Sequence, residues 1–124
     1  MSAPNLVNVT SILGKTMGAA LGTSANTDIL TNSANSGKVF KINSVIVANV
    51  DGSDSSTVTV HFYDNSASAR YNIAHTVNVP ADSTLVVLGK DSPIYLEEGD
   101  QIEAEAADAS RLEIIISYEE LDDA

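Results

Sequence analysis

The sequence predicts an all-β protein: an antiparallel β-sandwich, jelly-roll-like or immunoglobulin-like, with an extended N-terminal arm. Apolar and polar residues alternate through most of the chain after Val39, a pattern typical of strands buried on one face. Turn-forming residues interrupt the alternation at short intervals, and the C-terminal two-thirds shows no convincing 3.6-residue period. The 124 residues suffice for one domain, whose core must be largely aliphatic because aromatic residues make up only 5% of the chain.

About eight strands are predicted, as in a sandwich or a jelly roll. In chain order their sequences are "TDILTN", "VFKINSVIVANV", "STVTVHFYD", "YNIAHTVNV", "STLVVLG", "SPIYL", "DQIEAEA" and "RLEIIISYE". In the third of them Val58, Val60 and Phe62 share one face, and in the last Leu112 and Ile114 do the same.

The composition divides the chain into two parts. Residues 1–36 are predicted to form the arm and weakly packed short strands, and residues 37–124 are predicted to form the β-sandwich domain. The chain from Gly14 to Ser36 is rich in Gly, Ala, Ser, Thr and Asn, which offer little to a core. A short helix at "KTMGAALG" is disfavoured by Gly18 and the flanking glycine.

Three turns are indicated by their chemistry. Asp51 and Gly52 begin "DGSDSS", and an Asp-Gly pair between strands signals a hairpin. Pro80 ends the strand before it, because proline has no N–H for the ladder. Gly99 lies between two apolar stretches, where a tight turn often needs a positive φ. Asp100 is expected to cap this turn by accepting hydrogen bonds from backbone N–H groups.

The stretch "SPIYLEEGDQIEAEA" is dense in acidic residues. We expect Glu97 and Glu98 to point into water at the turn, and Glu103 and Glu105 to lie on the solvent side of the following strand. A catalytic carboxylate pair of the glycosidase type needs one acid in an apolar pocket, and no apolar or aromatic cluster flanks these acids. A turn accounts for the stretch, and a weak surface Ca²⁺ site is the alternative.

Charge and residue content argue against several function classes. The net charge of −11, from 17 acidic and 6 basic residues, opposes binding to nucleic acid and to anionic membrane surfaces. There is no cysteine, and His61 and His75 have no second His at ligand spacing. Serine elbows and glycine-rich phosphate loops are also missing from the sequence. We therefore expect no enzyme activity, no catalytic residue, no metal or other cofactor, and no small-molecule substrate.

Two strands carry apolar residues on both faces. In "VFKINSVIVANV" a strict alternation places one apolar set together: Phe40, Ile42, Ile46 and Val50. Val45 and Val47 then lie on the opposite face, and Ile115 lies opposite its neighbours in "EIIIS". We predict that Val45, Val47 and Ile115 form a subunit interface in a homo-oligomer. Cover by the chain's own second sheet or by its N-terminal arm is the alternative.

Three segments carry a family resemblance: "SGKVFKINSVIVANVDG", "VNVPADSTLVV" and "IYLEEGDQI". In this order they resemble small virion proteins of tailed bacteriophages, especially marine ones. The resemblance covers Ser36 to Leu121 and consists of strand and turn residues without a catalytic signature. It implies a β-sandwich structural protein of the virion.

The resemblance implies a non-enzymatic decoration (cement) protein on the outer capsid, or a neck or tail accessory protein. The expected location is the virion, assembled in the host cytoplasm, and the expected partners are the major capsid protein or other virion proteins. The alternative function is a neck, tail or fibre module that binds a receptor or a carbohydrate. A sugar-stacking platform would need exposed aromatic residues, for which the sequence offers Tyr63 and Tyr95.

Overall fold

The computed structural model describes residues 9–122 and contains nine β-strands in that range. The strands are β1 (Ser11–Ala20), β2 (Asp28–Thr31), β3 (Lys38–Asn49), β4 (Ser56–Asp64), β5 (Ala69–Val79), β6 (Thr84–Leu88), β7 (Ile94–Leu96), β8 (Gln101–Ala106) and β9 (Leu112–Asp122). No part of this described range is helical, so it contains no helix that could span a membrane.

The strands form two antiparallel sheets packed as a sandwich, which confirms the predicted fold class. The five-stranded sheet has the order β1-β9-β3-β6, and β7 also pairs with β3. The four-stranded sheet has the order β2-β8-β4-β5. The N-terminal and C-terminal strands β1 and β9 are therefore neighbours, and the open edges of the sandwich are β1, β2, β5 and the β6–β7 side.

The core between the sheets is aliphatic, as the composition requires. The largest fully buried apolar side chains are Ile42, Leu96, Ile102, Leu112, Ile114 and Ile116, with Val45, Val47, Val58, Val60 and Val79. Phe40 and Tyr118 add the one aromatic contact found in the described residues, with ring centroids 5.3 Å apart.

The assignment of Val45 and Val47 to a subunit interface was wrong. Both side chains are fully buried within the single chain. The pairing of β3 with β9 shifts register between Ile42 and Ser44, and the extra residue of such a bulge reverses which face the following side chains occupy. Val45 and Val47 therefore follow Ile42 into the core, and Ile46 turns outward.

The predicted arm and the boundary at residue 36 were also wrong for the described residues. β1 pairs with β9 along its whole length, from Ser11 opposite Asp122 to Ala20 opposite Glu113. β2 pairs with β8 in the other sheet, so residues before position 36 contribute a strand to each layer. The small side chains of β1 predicted weak packing. An edge strand is nevertheless held by backbone hydrogen bonds, which do not depend on the size of its side chains. Residues 1–8 of the predicted arm lie outside the described range.

The loop at Asp51 and Gly52 is not a hairpin. It carries the chain from β3 in one sheet to β4 in the other. Asp51 Oδ1 accepts hydrogen bonds from the backbone N–H of Ser53 (2.8 Å) and of Asp54 (3.2 Å), and these bonds lower the pKa of Asp51. Pro80 directly follows β5, as expected for a residue that ends a strand.

The acidic stretch forms a turn between β7 and β8. Gly99 has a φ of 88°, and the Asp100 carboxylate is buried. Its oxygens accept hydrogen bonds from the backbone N–H of Glu97 (2.9 Å) and of Asn65 (3.0 Å). Within residues 9–122, no group of three or more His, Asp or Glu side chains is arranged to hold a metal ion.

Candidate interaction surfaces

The outer face of the five-stranded sheet carries an exposed apolar row. Val86 of β6 lies opposite Ile46 of β3, and Ile46 lies opposite Ile115 of β9. Val86 is 63% exposed and Ile115 is 40% exposed, whereas Ile46 between them is half-buried. Val86, Ile46 and Ile115, here called the apolar row, cross three neighbouring strands without a polar side chain in the line.

The row ends at a shallow groove on β1. Gly18 lies opposite Ile115, and a side chain at position 18 would contact Ile115 at 3.9 Å. Because glycine has no side chain, a groove with a volume of about 380 Å³ lies between Ile115, Gly18 and Ala20. Ile115 thus belongs to an exposed surface, but its neighbours there are Ile46 and Val86 rather than Val45 and Val47.

The outer face of the four-stranded sheet is polar and internally paired. Arg70 Nε donates to Glu103 Oε1 at 2.6 Å, and the guanidinium also lies 5.0 Å from the centre of the Tyr63 ring. Glu103 is only 2% exposed, so the expectation that it faces water was wrong. Glu103 does lie on the outer face of β8, as the alternation predicts, but Arg70 and its neighbours cover its carboxylate.

Burial and a hydrogen bond with Glu103 raise the pKa of Asp28 on β2. His61 Nδ1 lies 3.9 Å from Glu103 Oε1 and is a buried atom without a hydrogen-bond partner in the described structure. Thr59 Oγ1 accepts a hydrogen bond from the backbone N–H of Thr76 at 3.0 Å. Apart from His61 Nδ1, the polar groups named here are paired within the chain, which leaves the other sheet as the better surface for a partner.

A third surface is a groove between the open edges at β5 and β7. It has a volume of about 410 Å³ and is lined by Phe62, Tyr71, Asn72, Ile73, Ile94 and Tyr95. Tyr71 and Tyr95 are 56% and 41% exposed. The sequence offered Tyr63 and Tyr95 as candidates for a stacking platform. Tyr63 instead lies beneath Arg70 on the outer face, and Tyr71 lines the groove with Tyr95.

A buried carboxylate of β9 joins that strand to both of its neighbours, β1 and β3. Glu120 of β9 accepts hydrogen bonds from Lys15 Nζ of β1 (2.9 Å) and from Lys38 Nζ of β3 (3.1 Å). Burial alone would raise the pKa of Glu120, but the two ammonium groups outweigh it and lower that pKa. Glu120 also raises the pKa of Lys15.

Two buried asparagines, Asn32 and Asn49, have structural roles that were not predicted from the sequence. Asn32 donates to the carbonyl oxygens of Lys38 (2.8 Å) and Leu96 (3.0 Å), and Asn49 donates to those of Asp54 (3.0 Å) and Val79 (2.9 Å). Each joins a loop to the neighbouring sheet. The only sequence signal is their place at the end of a predicted strand, where turn asparagines are also common.

In comparisons with known proteins, no family model and no curated protein matches this chain.

Proposed function

We propose that this protein is a non-enzymatic structural protein of a tailed-bacteriophage virion, and specifically a decoration protein on the outer capsid. The resemblance of Ser36–Leu121 to small virion proteins supports the class. The exposed apolar row on an otherwise acidic molecule is the observation that carries the mode of action, because large exposed apolar side chains in a line are typical of a docking surface.

In this proposal the apolar row contacts the major capsid protein or another virion protein. Complete burial of a Val or Ile side chain is worth about 1.5–3 kcal/mol, so the three partly exposed members supply a useful part of a binding energy. Repeated copies on a shell add avidity to a modest single-site affinity. The net charge of −11 keeps the free protein soluble before it docks.

The experiment locates the protein in purified tailed-phage particles, by quantitative mass spectrometry and by antibody labelling in electron microscopy. We expect many copies on the outside of the head. Recombinant protein is then added back to stripped particles. The double variant Val86→Asp with Ile115→Asp fails to rebind, whereas Val50→Asp, which changes an exposed valine outside the row, rebinds.

Absence from the particle would contradict the virion assignment. A few copies confined to the neck or tail would contradict the decoration role and leave a virion accessory protein. Equal rebinding of the double variant and of Val50→Asp would contradict the apolar row as the docking surface.

A second candidate function rests on the groove between β5 and β7. Tyr71 and Tyr95 expose aromatic rings on an apolar floor, an arrangement suited to stacking against a sugar of a receptor. A glycan array with the purified protein tests it. Saturable binding that is lost in Tyr71→Ala and kept in Tyr63→Ala would favour a receptor- or carbohydrate-binding module over a decoration protein.

A further inference from the structure

Strand β1 is an edge without the usual protection against pairing. Edge strands are commonly short, bulged, charged or interrupted by proline. Among the described edges, β2 has four residues and a register shift, β6 and β7 have five and three residues, and β5 shifts register twice against β4. β1 has ten residues, pairs with β9 without a shift, and contains no proline.

Within residues 9–122, the backbone hydrogen-bonding groups of β1 that face no other strand belong to its even-numbered residues. The N–H of Leu21 donates to the carbonyl oxygen of Leu112 at 2.9 Å, in register with the β1–β9 ladder. Because bonded and non-bonded positions alternate in an antiparallel pair, the N–H and C=O groups from Ile12 to Ala20 at even positions point away from β9. The single charged side chain of β1, Lys15, is engaged by Glu120.

The exposed side chains of β1 are self-complementary about Thr16. In an antiparallel pair of two β1 strands centred there, Ile12 faces Ala20 of the other copy, and Leu13 faces Ala19. Gly14 would face Gly18. The two large exposed apolar side chains of β1, Ile12 (63% exposed) and Leu13 (53% exposed), thus each lie opposite a small residue of the other copy.

We propose that two copies of this chain pair through β1 about a two-fold axis at Thr16, which joins their five-stranded sheets into one continuous sheet. Five bonded positions, each exchanging two N–H···O bonds, supply about ten intermolecular hydrogen bonds. The pairing is isologous and closes on itself, so it ends at a dimer. It does not depend on the virion assignment, because it uses only the edge of the sheet that is open among the described residues.

Two cysteine variants test the register, since the native chain has no cysteine. Thr16→Cys places the two sulfur atoms on facing residues, within the ordinary reach of a disulfide. Ile12→Cys lies on the same face of the same strand, but its copy is eight residues away along the partner, roughly 26 Å. Under mild oxidation we expect a covalent dimer from Thr16→Cys and little from Ile12→Cys.

A proline variant tests the edge itself. Thr16→Pro removes an N–H that the fold does not use and blocks the centre of the pair, so the variant is folded and its dimer is weaker by at least about tenfold. Thr16→Val keeps the N–H and the side-chain shape, and remains dimeric. Sedimentation measures association, and circular dichroism checks the strands. If Thr16→Pro does not fold, the two cysteine variants decide the question alone.

A wild-type protein that stays monomeric at high concentration would overturn the proposal. Equal cross-linking of Thr16→Cys and Ile12→Cys would indicate random collision and would overturn it as well. A dimer that persists unchanged in folded Thr16→Pro would show that another surface pairs.

Discussion

Ile46 of β3 lies directly opposite Ile115 of β9 on the outer face of the five-stranded sheet. The pair marks the solvent-facing side of both strands. Val47, the next residue of β3, points into the core, and Val86 of β6 continues the exposed row beyond Ile46. The same pair joins the middle of the proposed docking surface to the strand beside the edge β1.

Val47→Asp is expected to unfold the protein, and Val86→Asp is not. A carboxylate at position 47 would be buried without a partner, at a cost on the order of 3–5 kcal/mol. At position 86 the same change faces water and costs less than about 1 kcal/mol. Thermal melts of the two variants check this, and a folded Val47→Asp monomer would contradict the observed direction of β3.

Gly99→Val is expected to destabilise the turn between β7 and β8. The φ of 88° is strained for a β-branched residue by about 1–3 kcal/mol. In addition, a Cβ at position 99 would lie 2.6 Å from Asn65 Nδ2, so Asn65 must move. The control is Gly22→Val, where a Cβ has nothing within 4 Å. Equal melting temperatures for the two variants would rule out this account of the turn.

Asn32→Ala and Asn49→Ala are each expected to lower the free energy of unfolding by about 1–3 kcal/mol, because each leaves buried carbonyl groups without a donor. Chemical denaturation measures the loss. Asn78→Ala makes the same change at an exposed position of β5 and serves as the control. Losses no larger than that of Asn78→Ala would mean that water replaces the missing amide.

Stability is expected to depend on pH through Glu120. Its pKa is lowered in the folded state, so its contribution is present above the pKa of the unfolded chain and is lost as pH falls through the folded value. The difference in unfolding free energy between wild type and Glu120→Gln should therefore be largest near neutral pH and shrink below about pH 5.

Glu113→Gln changes an exposed acid on the same strand and should show no such trend. A gap between wild type and Glu120→Gln that widens as the solution becomes more acidic would contradict the assigned direction.

Arg70→Ala is expected to cost about 2 kcal/mol, because it leaves the buried Glu103 carboxylate without its closest cation. Arg111→Ala is the matched control. Arg111 lies near three carboxylates, of Asp51, Asp54 and Asp108, but all three are partly exposed, and exposed pairs contribute about 1 kcal/mol or less. Chemical denaturation measures the unfolding free energy of both variants. A larger loss for Arg111→Ala than for Arg70→Ala would contradict this prediction.

Local pattern was sufficient for the fold class and for much of the strand content. In β4 and β9 the apolar side chains recur at every second residue, and this period depends only on the backbone of an extended strand. The turn at Gly99 and Asp100 was predicted for a similar reason. Glycine's tolerance of a positive φ and the hydrogen bond from Glu97 N–H to Asp100 are local properties of the turn, whereas the second bond to Asp100 comes from Asn65, 35 residues away.

Contacts between distant residues decided the rest. Strand β1 pairs with β9, and Lys15 reaches Glu120 from 105 positions away, which local composition does not record. Glu103 has the sequence context of an exposed acid, and Arg70, 33 residues before it, covers it. The bulge after Ile42 is one extra residue in a pairing with β9, so only the assembled sheet determines that Val45 and Val47 fill the core and that Ile46 faces out beside Ile115.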